Sequence, residues 1–214
     1  MAESVLIYGK SGSGKSRSLK NFKDDEILLI NVLNKRLPFK NHFKYIAKTQ
    51  SYETIKSQLS KMPCKIAVID DAGYLMTSMF MSGHSNPKNG SYIFDLFNQI
   101  GDEFWKLLLF VKNDLPEDVT VYFIMHEISN DYGEVKLRTI GKLLDEKVCI
   151  EGIFTVCLRC MTNGERHWFK TQGGTNDLAK SPEGMFDMEI ENDLKFVDDT
   201  IRNYYDMNGG SNNG

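Results

Sequence analysis

A glycine-rich stretch near the start of the chain has the residue types and the spacing that bind phosphate. The pattern G-x-x-x-x-G-K-[ST] is matched by Gly9, Lys10, Ser11, Gly12, Ser13, Gly14, Lys15 and Ser16. Its glycines allow the backbone to curl, so that successive N–H groups point inward at phosphate oxygens. This chemistry predicts ATP as the cofactor, with Lys15 near the β- and γ-phosphates and the Ser16 hydroxyl on Mg²⁺.

The neighbours of this loop decide whether the pattern is more than a chance run of Gly and Ser. Residues 3–8 form a short apolar run typical of a strand, and residues 15–23 are predicted to be helical. A strand before and a helix after are the context that a phosphate-binding loop requires. The phosphates would then also lie at a helix N-terminus, and Arg17 is included among the expected nucleotide-binding residues.

Two adjacent carboxylates follow another apolar run. Residues 65–70 read Lys-Ile-Ala-Val-Ile-Asp, so a buried strand leads into Asp70 and Asp71. Ligands of open α/β sheets bind at the carboxyl ends of the strands. We therefore expect Asp70 to hold Mg²⁺ through water, and Asp71 is a candidate for the base that orients the attacking water. The alternative is that both are ordinary loop carboxylates after a core strand.

A third apolar run, residues 119–125, ends at His126. A polar residue at that strand end would face the γ-phosphate beside Asp70, which makes His126 a candidate sensor of the nucleotide. An ordinary solvated histidine is the equally open alternative. The candidate catalytic residues are therefore Lys15, Asp71 and His126.

The polar stretch that follows, residues 127–140, is predicted to be a loop with nucleic-acid chemistry. Tyr132 could stack on a base, while Lys136 and Arg138 lie on one face if the chain is extended there and could bind phosphates. A solvated surface is the alternative interpretation. Residues 76–91, which contain several Gly, Asn and Pro, are predicted to be a second exposed loop near the site.

The remaining patterns predict the elements that position these residues. A buried strand is predicted over 27–33 and a short strand over 43–47. Helices are predicted over 51–61, with Ser51 as the N-cap, over 92–112 and over 191–205. Two strand-like runs flank Asn163-Gly164, the strongest short-range signal for a hairpin. The predicted fold class is α/β: a P-loop NTPase core, with a mainly parallel sheet, helices on both faces and a C-terminal β-hairpin. The order of these elements resembles that of a RecA-like core.

Length and composition limit the alternatives. The 214 residues suit a single domain over 1–206, with 207–214, rich in Asn and Gly, as a disordered tail. The net charge of -3 gives no global attraction to nucleic acid or membrane, so DNA binding would need a local basic patch. The absence of a long apolar stretch and of a signal peptide predicts a cytoplasmic protein without membrane partners.

Four cysteines raise the question of a metal site. Cys157 and Cys160, with Cys149 and His167, could be drawn as zinc ligands. Residues three apart on a strand point to opposite faces, and the paired spacing of a zinc knuckle is missing. Buried free thiols are the preferred interpretation.

Several stretches together resemble a phage family of RecA-like ATPases, the "Sak-four" type of single-strand-annealing recombinases. They are residues 9–16, Val-Ile-Asp-Asp-Ala-Gly-Tyr-Leu-Met at 68–76, Gly-Lys-Leu-Leu-Asp-Glu-Lys at 141–147, and Ala-Lys-Ser-Pro-Glu-Gly-Met-Phe at 179–186. The resemblance implies ATP hydrolysis that is coupled to the binding of single-stranded DNA. It implies a homo-oligomer as well, with a phage single-strand-binding or annealing protein as a partner. It also implies a basic finger acting in trans on the neighbouring subunit's nucleotide, for which the candidates are Lys142, Lys170 and Lys180.

One departure from that family bears on activity. RecA-type proteins usually carry a catalytic Glu at the end of the strand before the acidic motif, and here residues 31–34 read Asn-Val-Leu-Asn. Either Asp71 substitutes, or hydrolysis is slow. A nucleotide-gated loader or adaptor with weak hydrolysis is therefore a second hypothesis. A nucleotide or nucleoside kinase is a third, although no Arg-rich lid stands out.

Overall fold

A mostly parallel sheet forms the centre of the molecule. The computed structural model describes residues 1–85, 92–141 and 143–207, without the side chains of 145 and 146, and within these ranges it has nine strands. The strands are β1 Glu3–Gly9, β2 Ile27–Asn31, β3 Tyr45–Ala47, β4 Ile66–Asp70, β5 Thr120–Ser129, β6 Val135–Leu137, β7 Val156–Thr162, β8 His167–Lys170 and β9 Glu189–Glu191. The α-helices are α1 Tyr52–Ser60, α2 Gly73–Gly83, α3 Tyr92–Asp114 and α4 Leu194–Tyr204.

The strand order brings the predicted site residues to one edge of the sheet. It runs β3-β2-β4-β5-β1-β7-β8-β9, with parallel pairing from β3 to β7 and antiparallel pairing beyond. Strand β1 therefore lies beside β5, and β4 lies on the other side of β5. In register, Gly9 pairs with His126, and Asn31 pairs with Asp70. The carboxyl ends of these parallel strands meet where an α/β sheet binds its ligands.

Helices cover both faces because alternate residues of the central strands point to opposite sides. On β1, Leu6 and Tyr8 belong to one core cluster, which also includes buried residues of α1, α2 and α3. Val5 and Ile7 belong to the other, which includes buried residues of α4. The predicted α/β class with helices on both faces and a mainly parallel sheet is confirmed.

The predicted hairpin near the C-terminus is also present. Strands β7 and β8 pair antiparallel around the turn, in which Gly164 has a φ of 98°. A glycine adopts this left-handed conformation without steric cost. The hairpin extends the sheet beyond β1, and β9 adds to its outer edge.

Two of the predicted loops contain regular structure. The prediction of a loop over 76–91 is wrong in its first part, because α2 extends to Gly83. Leu75 and Met76 are buried there, and the Asn and Pro residues that indicated a loop lie beyond the end of the helix. Residues 86–91 lie outside the described range. Strand β5 runs four residues past the predicted end, to Ser129, because β6 pairs with its extension. The predicted loop over 127–140 is thus partly a β-hairpin.

The helix after the phosphate-binding loop is shorter than predicted. It is a 3-10 helix, Ser16–Asn21, rather than a helix over 15–23. The Ser18 hydroxyl donates to the Lys15 carbonyl at 2.6 Å, a local bond of the kind that competes with regular helix. The helix N-cap predicted at Ser51 is confirmed, since its Oγ accepts from the Thr54 N–H at 3.2 Å.

The cysteines agree with most of the sequence interpretation. Cys157 and Cys160 are buried in different core clusters, on opposite faces of β7 as expected. The described residues include no cluster of three or more His, Cys, Asp or Glu able to hold a metal. Cys149, however, is exposed, so the interpretation as a buried thiol is wrong for that residue.

The helices of the described ranges are too short or too polar to cross a bilayer. The predicted disordered tail lies almost entirely outside the described residues, which end at Met207.

Candidate nucleotide-binding site

The phosphate-binding loop follows β1 and encloses its own lysine. Gly12 and Gly14 have φ angles of 79° and 103°, which only glycine adopts freely. The Lys15 ammonium donates to the carbonyls of Gly9 at 2.9 Å and Lys10 at 2.8 Å. Burial lowers the pKa of this lysine. The loop therefore holds a cation against neutral carbonyls, which leaves its charge available to an anion.

The β7–β8 hairpin packs against this loop and supports its backbone. His167 Nδ1 lies 2.7 Å from the Ser13 carbonyl, and Cys160 Sγ donates to the same oxygen at 3.1 Å. A carbonyl only accepts, so His167 carries a proton on Nδ1. A Cβ added at Gly9 would lie 2.5 Å from the Cys160 carbonyl, and one at Gly14 would lie 2.7 Å from His167 Nδ1. Both glycines are therefore required for this close packing. The sequence analysis did not find His167 or Cys160 as supports of the loop.

Arg17 is directed toward the far end of the sheet. Its Nη1 donates to Asn192 Oδ1 at 3.3 Å, and the Asn192 amide in turn donates to Cys160 Sγ at 3.2 Å. These contacts tie the start of the 3-10 helix to the residues before α4. Lys10 and Ser11 lie exposed at the mouth of the loop.

Ser16 and Asp70 present oxygen atoms suited to a magnesium ion. The Ser16 hydroxyl donates to Asp70 Oδ1 at 2.9 Å, and Asp70 is 1% exposed. The other carboxylate oxygen, Oδ2, is buried and has no hydrogen-bond partner among the described residues. Burial, with the neighbouring Asp71 charge, raises the pKa of Asp70. A buried carboxylate with a spare oxygen beside a hydroxyl fits a hard divalent cation.

Asp71 is held in an unusual conformation by two basic side chains. Its φ is 61°, in the left-handed region that Asp tolerates better than most residues. One carboxylate oxygen lies 3.3 Å from His126 Nε2, and the other forms an ion pair with Lys35. Burial alone would raise the pKa of Asp71, but hydrogen bonds from His126 and Lys35 outweigh it and lower that pKa. Lys35 was not among the residues predicted for the site.

His126 connects the loop lysine to this carboxylate. Its Nδ1 lies 3.5 Å from the Lys15 ammonium, and its Nε2 faces Asp71. An ammonium only donates, so Nδ1 accepts and Nε2 carries the proton that points at Asp71. The Tyr74 ring meets the imidazole edge-on, with 5.9 Å between the ring centroids. The interpretation of His126 as an ordinary solvated histidine is thus wrong, because it is part of β5 and 19% exposed.

These contacts define what the site can do chemically. Lys15 supplies positive charge where phosphate oxygens would bind, and Ser16 with Asp70 would hold the metal. Asp71 is a second carboxylate beside this pair, and its two oxygens face His126 and Lys35. Bound Mg²⁺ supplies charge neutralisation to a phosphoryl group during transfer.

A family model described as an AAA domain matches residues 1–183. The chain belongs to the AAA domain family. Membership indicates a nucleotide-binding ATPase of the P-loop class, which agrees with the loop, metal and carboxylate geometry above. No curated protein matches the sequence.

A second buried polar network lies beside the nucleotide site of this AAA domain. Arg159 donates through Nε and Nη2 to the two oxygens of Glu127, at 2.8 and 2.7 Å, and through Nη1 to Asp177 at 3.0 Å. Asp177 also accepts from the Tyr8 hydroxyl at 2.6 Å and from Lys170 at 2.9 Å. The network joins β5, β1, β7 and β8 just beyond the phosphate-binding loop. Its members are far apart in sequence, which left no local signal to predict it.

The three lysines predicted to act in trans differ in their surroundings. Lys170 is held within its own chain by Asp177, so that ion pair would have to break before Lys170 could reach a neighbouring subunit. Lys180 forms a backbone bridge with Cys157, and its side chain has no ion pair with a described residue. Lys142 lies outside the described residues.

The residues predicted to contact DNA lie on the β5–β6 hairpin of the AAA domain. Tyr132 is 89% exposed at its turn. Lys136 and Arg138 both point outward, since the residues that alternate with them, Val135 and Leu137, are buried. The Arg138 N–H donates to the His126 carbonyl at 2.8 Å. The hairpin therefore connects directly to the nucleotide site.

Proposed function

We propose that this AAA domain is a Mg²⁺-dependent ATPase that acts on single-stranded DNA in phage recombination or replication. The proposed ATP hydrolysis is supported by the continuous chain of contacts from Lys15 through His126 to Asp71. The Ser16–Asp70 pair lies beside this chain. This arrangement supports a site in which a cation, metal ligands and a candidate base meet at one edge of the sheet. The left-handed backbone at Asp71 is a conformation that functional sites retain despite its cost.

The DNA half is supported by the resemblance to annealing recombinases and by exposed aromatic and basic side chains close to the site. Tyr132 offers a stacking surface, and Lys136 and Arg138 offer charge. The proposal includes a homo-oligomer in which Lys142, Lys170 or Lys180 completes the neighbouring nucleotide site. It also includes a single-strand-binding or annealing protein as a partner.

The decisive experiment measures ATP turnover with and without single-stranded DNA, alongside mass by light scattering with a non-hydrolysable nucleotide. We expect Mg²⁺-dependent turnover that rises with DNA, and assembly beyond a monomer. Lys15→Ala is the matched negative variant, since it removes the loop cation; calorimetry should find no tight ATP binding. Turnover without any response to DNA would remove the DNA half, and unchanged ATP affinity in Lys15→Ala would contradict the assigned phosphate site.

A nucleotide-gated adaptor with weak hydrolysis is the second candidate, and one contact favours it. The ion pair between Lys35 and Asp71 occupies the candidate base. An ATP-dependent pull-down of a partner that survives Asp71→Asn would favour this adaptor. Phosphoryl transfer to a nucleoside acceptor would instead revive the kinase hypothesis.

A further inference from the structure

The segment between β2 and α1 concentrates positive charge in an otherwise acidic protein. Residues 32–50 contain five Lys or Arg and no Asp or Glu, while the whole chain has a net charge of -3. The five are Lys35, Arg36, Lys40, Lys44 and Lys48. Like charges gathered on one surface repel one another, so they do not serve the stability of the fold.

Most of this charge is not neutralised within the chain. Arg36, Lys40, Lys44 and Lys48 are all exposed, and none forms an ion pair with a described residue. Lys35 is the exception, through Asp71. Exposed cations without carboxylate partners are available to an anionic ligand.

All of these basic residues except Lys44 line a groove of about 440 Å³ at the edge of the sheet. We name it the basic groove; its lining runs from Asn31 at the end of β2, along the loop, to Lys48 after β3. Strand β3 is the last strand of the sheet order, so the groove lies on the outer side of the sheet. Its basic lining residues are Lys35, Arg36, Lys40, His42 and Lys48.

Apolar groups also line the groove. Phe39 is half-buried and meets the buried Phe43 edge-on, with 6.2 Å between the ring centroids, so its ring is held in place. Ile46 on the edge strand is 41% exposed. An aromatic side chain supported beneath cations is the combination that stacks unpaired bases while the cations bind the phosphates. A duplex hides its base faces and would use the cations alone.

We propose that the basic groove binds single-stranded nucleic acid. This rests on the proposed function, to which it adds the surface that contacts DNA. The β5–β6 hairpin is less suited to be the principal site, because acids offset its cations. Asp131 and Glu134 match these two cations in number, and Lys136 lies 4.0 Å from Glu134.

The inner end of the groove reaches the candidate base. The Asn31 amide donates to the Lys35 carbonyl at 2.7 Å, and the Lys35 N–H donates to Asn31 Oδ1 at 3.2 Å. Asn31 pairs in register with Asp70, so Lys35 is held beside both acidic residues. A nucleic-acid phosphate at this end competes with Asp71 for the Lys35 ammonium. Binding in the groove therefore releases Asp71, which links the groove to hydrolysis.

The test of the site is fluorescence anisotropy with a labelled oligothymidylate of about 30 nucleotides, over a series of salt concentrations. The triple substitution Arg36→Ser, Lys40→Ser and Lys48→Ser removes groove cations that make no ion pair. We expect it to weaken binding at least about tenfold and to reduce the slope of log affinity against log salt by about 2, as three lost phosphate contacts require.

Two further variants test whether the loss of binding comes from the basic groove. Lys20→Ser, Lys61→Ser and Lys147→Ser together remove the same charge from exposed positions outside the groove and should bind as the parent does. Lys136→Ser with Arg138→Ser tests the hairpin. Full binding by the groove variant, or loss only in the hairpin variant, overturns the groove and leaves the proposed function intact. No binding by the unsubstituted protein at low salt removes the DNA half of the proposed function as well.

Further controls test whether misfolding or non-specific charge effects explain the loss of binding. Circular dichroism and ATP affinity check the fold of each variant. If the triple variant does not fold, photo-crosslinking of an iodouracil-substituted oligonucleotide to the intact protein replaces it, and the crosslink is expected on Phe39. A crosslink elsewhere, tighter binding of a duplex of equal length, or equally effective competition by polyglutamate each overturns the proposal.

A separate variant tests the link between binding in the basic groove and ATP hydrolysis. Lys35→Met removes the ammonium while keeping much of the side-chain volume. We expect a basal ATPase rate several-fold above the parent and little further stimulation by oligothymidylate. A lower basal rate with stimulation retained would contradict the release of Asp71, even if the groove binds DNA.

Discussion

The Ser16 hydroxyl and the Asp70 carboxylate, 54 positions apart in sequence, are joined by a hydrogen bond of 2.9 Å. The bond is possible because β1 and β4 flank β5, so that the two strand ends open at the same edge of the sheet. Asp70 keeps a second buried oxygen without a hydrogen-bond partner among the described residues. The fold therefore already holds two metal-binding groups in contact, at the cost of burying a charge.

Replacing Asp70 by Asn should lower turnover without lowering the free energy of unfolding. We expect turnover to fall at least about 100-fold, because a charged metal ligand is lost. The free energy of unfolding should stay equal or rise by about 1 kcal/mol, since a buried charge beside Asp71 is removed. Burial raises the pKa of Asp70, so its ionised form costs stability increasingly as the pH rises above the ordinary value of 3.8. The stability advantage of the variant should therefore grow with pH, as measured by urea denaturation.

The control for that experiment is Asp102→Asn on the exposed face of α3, which should change neither turnover nor stability appreciably. A large loss of stability in Asp70→Asn would mean that the carboxylate supports the fold. Near-parental turnover would remove Asp70 from the metal site.

Replacing His126 by Gln should affect turnover more than binding. The imidazole joins Lys15 to Asp71, and a Gln side chain cannot reproduce both contacts of the ring. We expect kcat to fall by about 10- to 100-fold, the range for a residue that orients a metal-site or catalytic group from outside, with ATP affinity by calorimetry changed by less than about threefold. His84→Gln, at the exposed C-cap of α2, is the matched histidine control. Equal losses of affinity and rate would place His126 in nucleotide binding instead.

Sequence patterns predicted the parts of this protein that depend on local residue order. The loop from Gly9 to Ser16 and the strand leading into Asp70 are such patterns, since the strand, the turn and the polar residue are contiguous. Lys35, His167 and Arg159 were missed because their partners are distant in the chain and are set by the strand order. Helix α2 was missed for another reason: the Asn and Pro residues that indicated a loop follow Gly83, whereas Leu75 and Met76 within the helix are buried.

The Arg159 network predicts a large stability effect without a catalytic role. The side chains of Arg159, Glu127 and Asp177 are 15%, 2% and 7% exposed. Arg159→Met leaves the buried Glu127 carboxylate without its ion-pair partner and takes one of three side-chain donors from Asp177. The loss should cost about 3 to 5 kcal/mol in urea denaturation. The double variant Glu127→Gln, Arg159→Met should recover part of that loss, because one stranded charge is gone. A cost below about 1 kcal/mol in the single variant would mean that solvent already screens the network.

Glu3 should make stability depend on pH in the neutral range. Its Oε1 is buried without a hydrogen-bond partner among the described residues, and burial raises its pKa from 4.5 to about 7, opposed only by the charge of Lys112. The folded protein thus binds a proton that the unfolded chain releases, so stability is full below 4.5 and is lost as the pH rises through about 7. Glu3→Gln should remove this decline and raise the free energy of unfolding by about 1 to 2 kcal/mol at about pH 8. Glu165→Gln, in the exposed β7–β8 turn, should keep the parental pH profile. If urea midpoints across this range are parallel for the Glu3 variant and the parent, Glu3 is ionised in the folded protein and its burial is relieved by water.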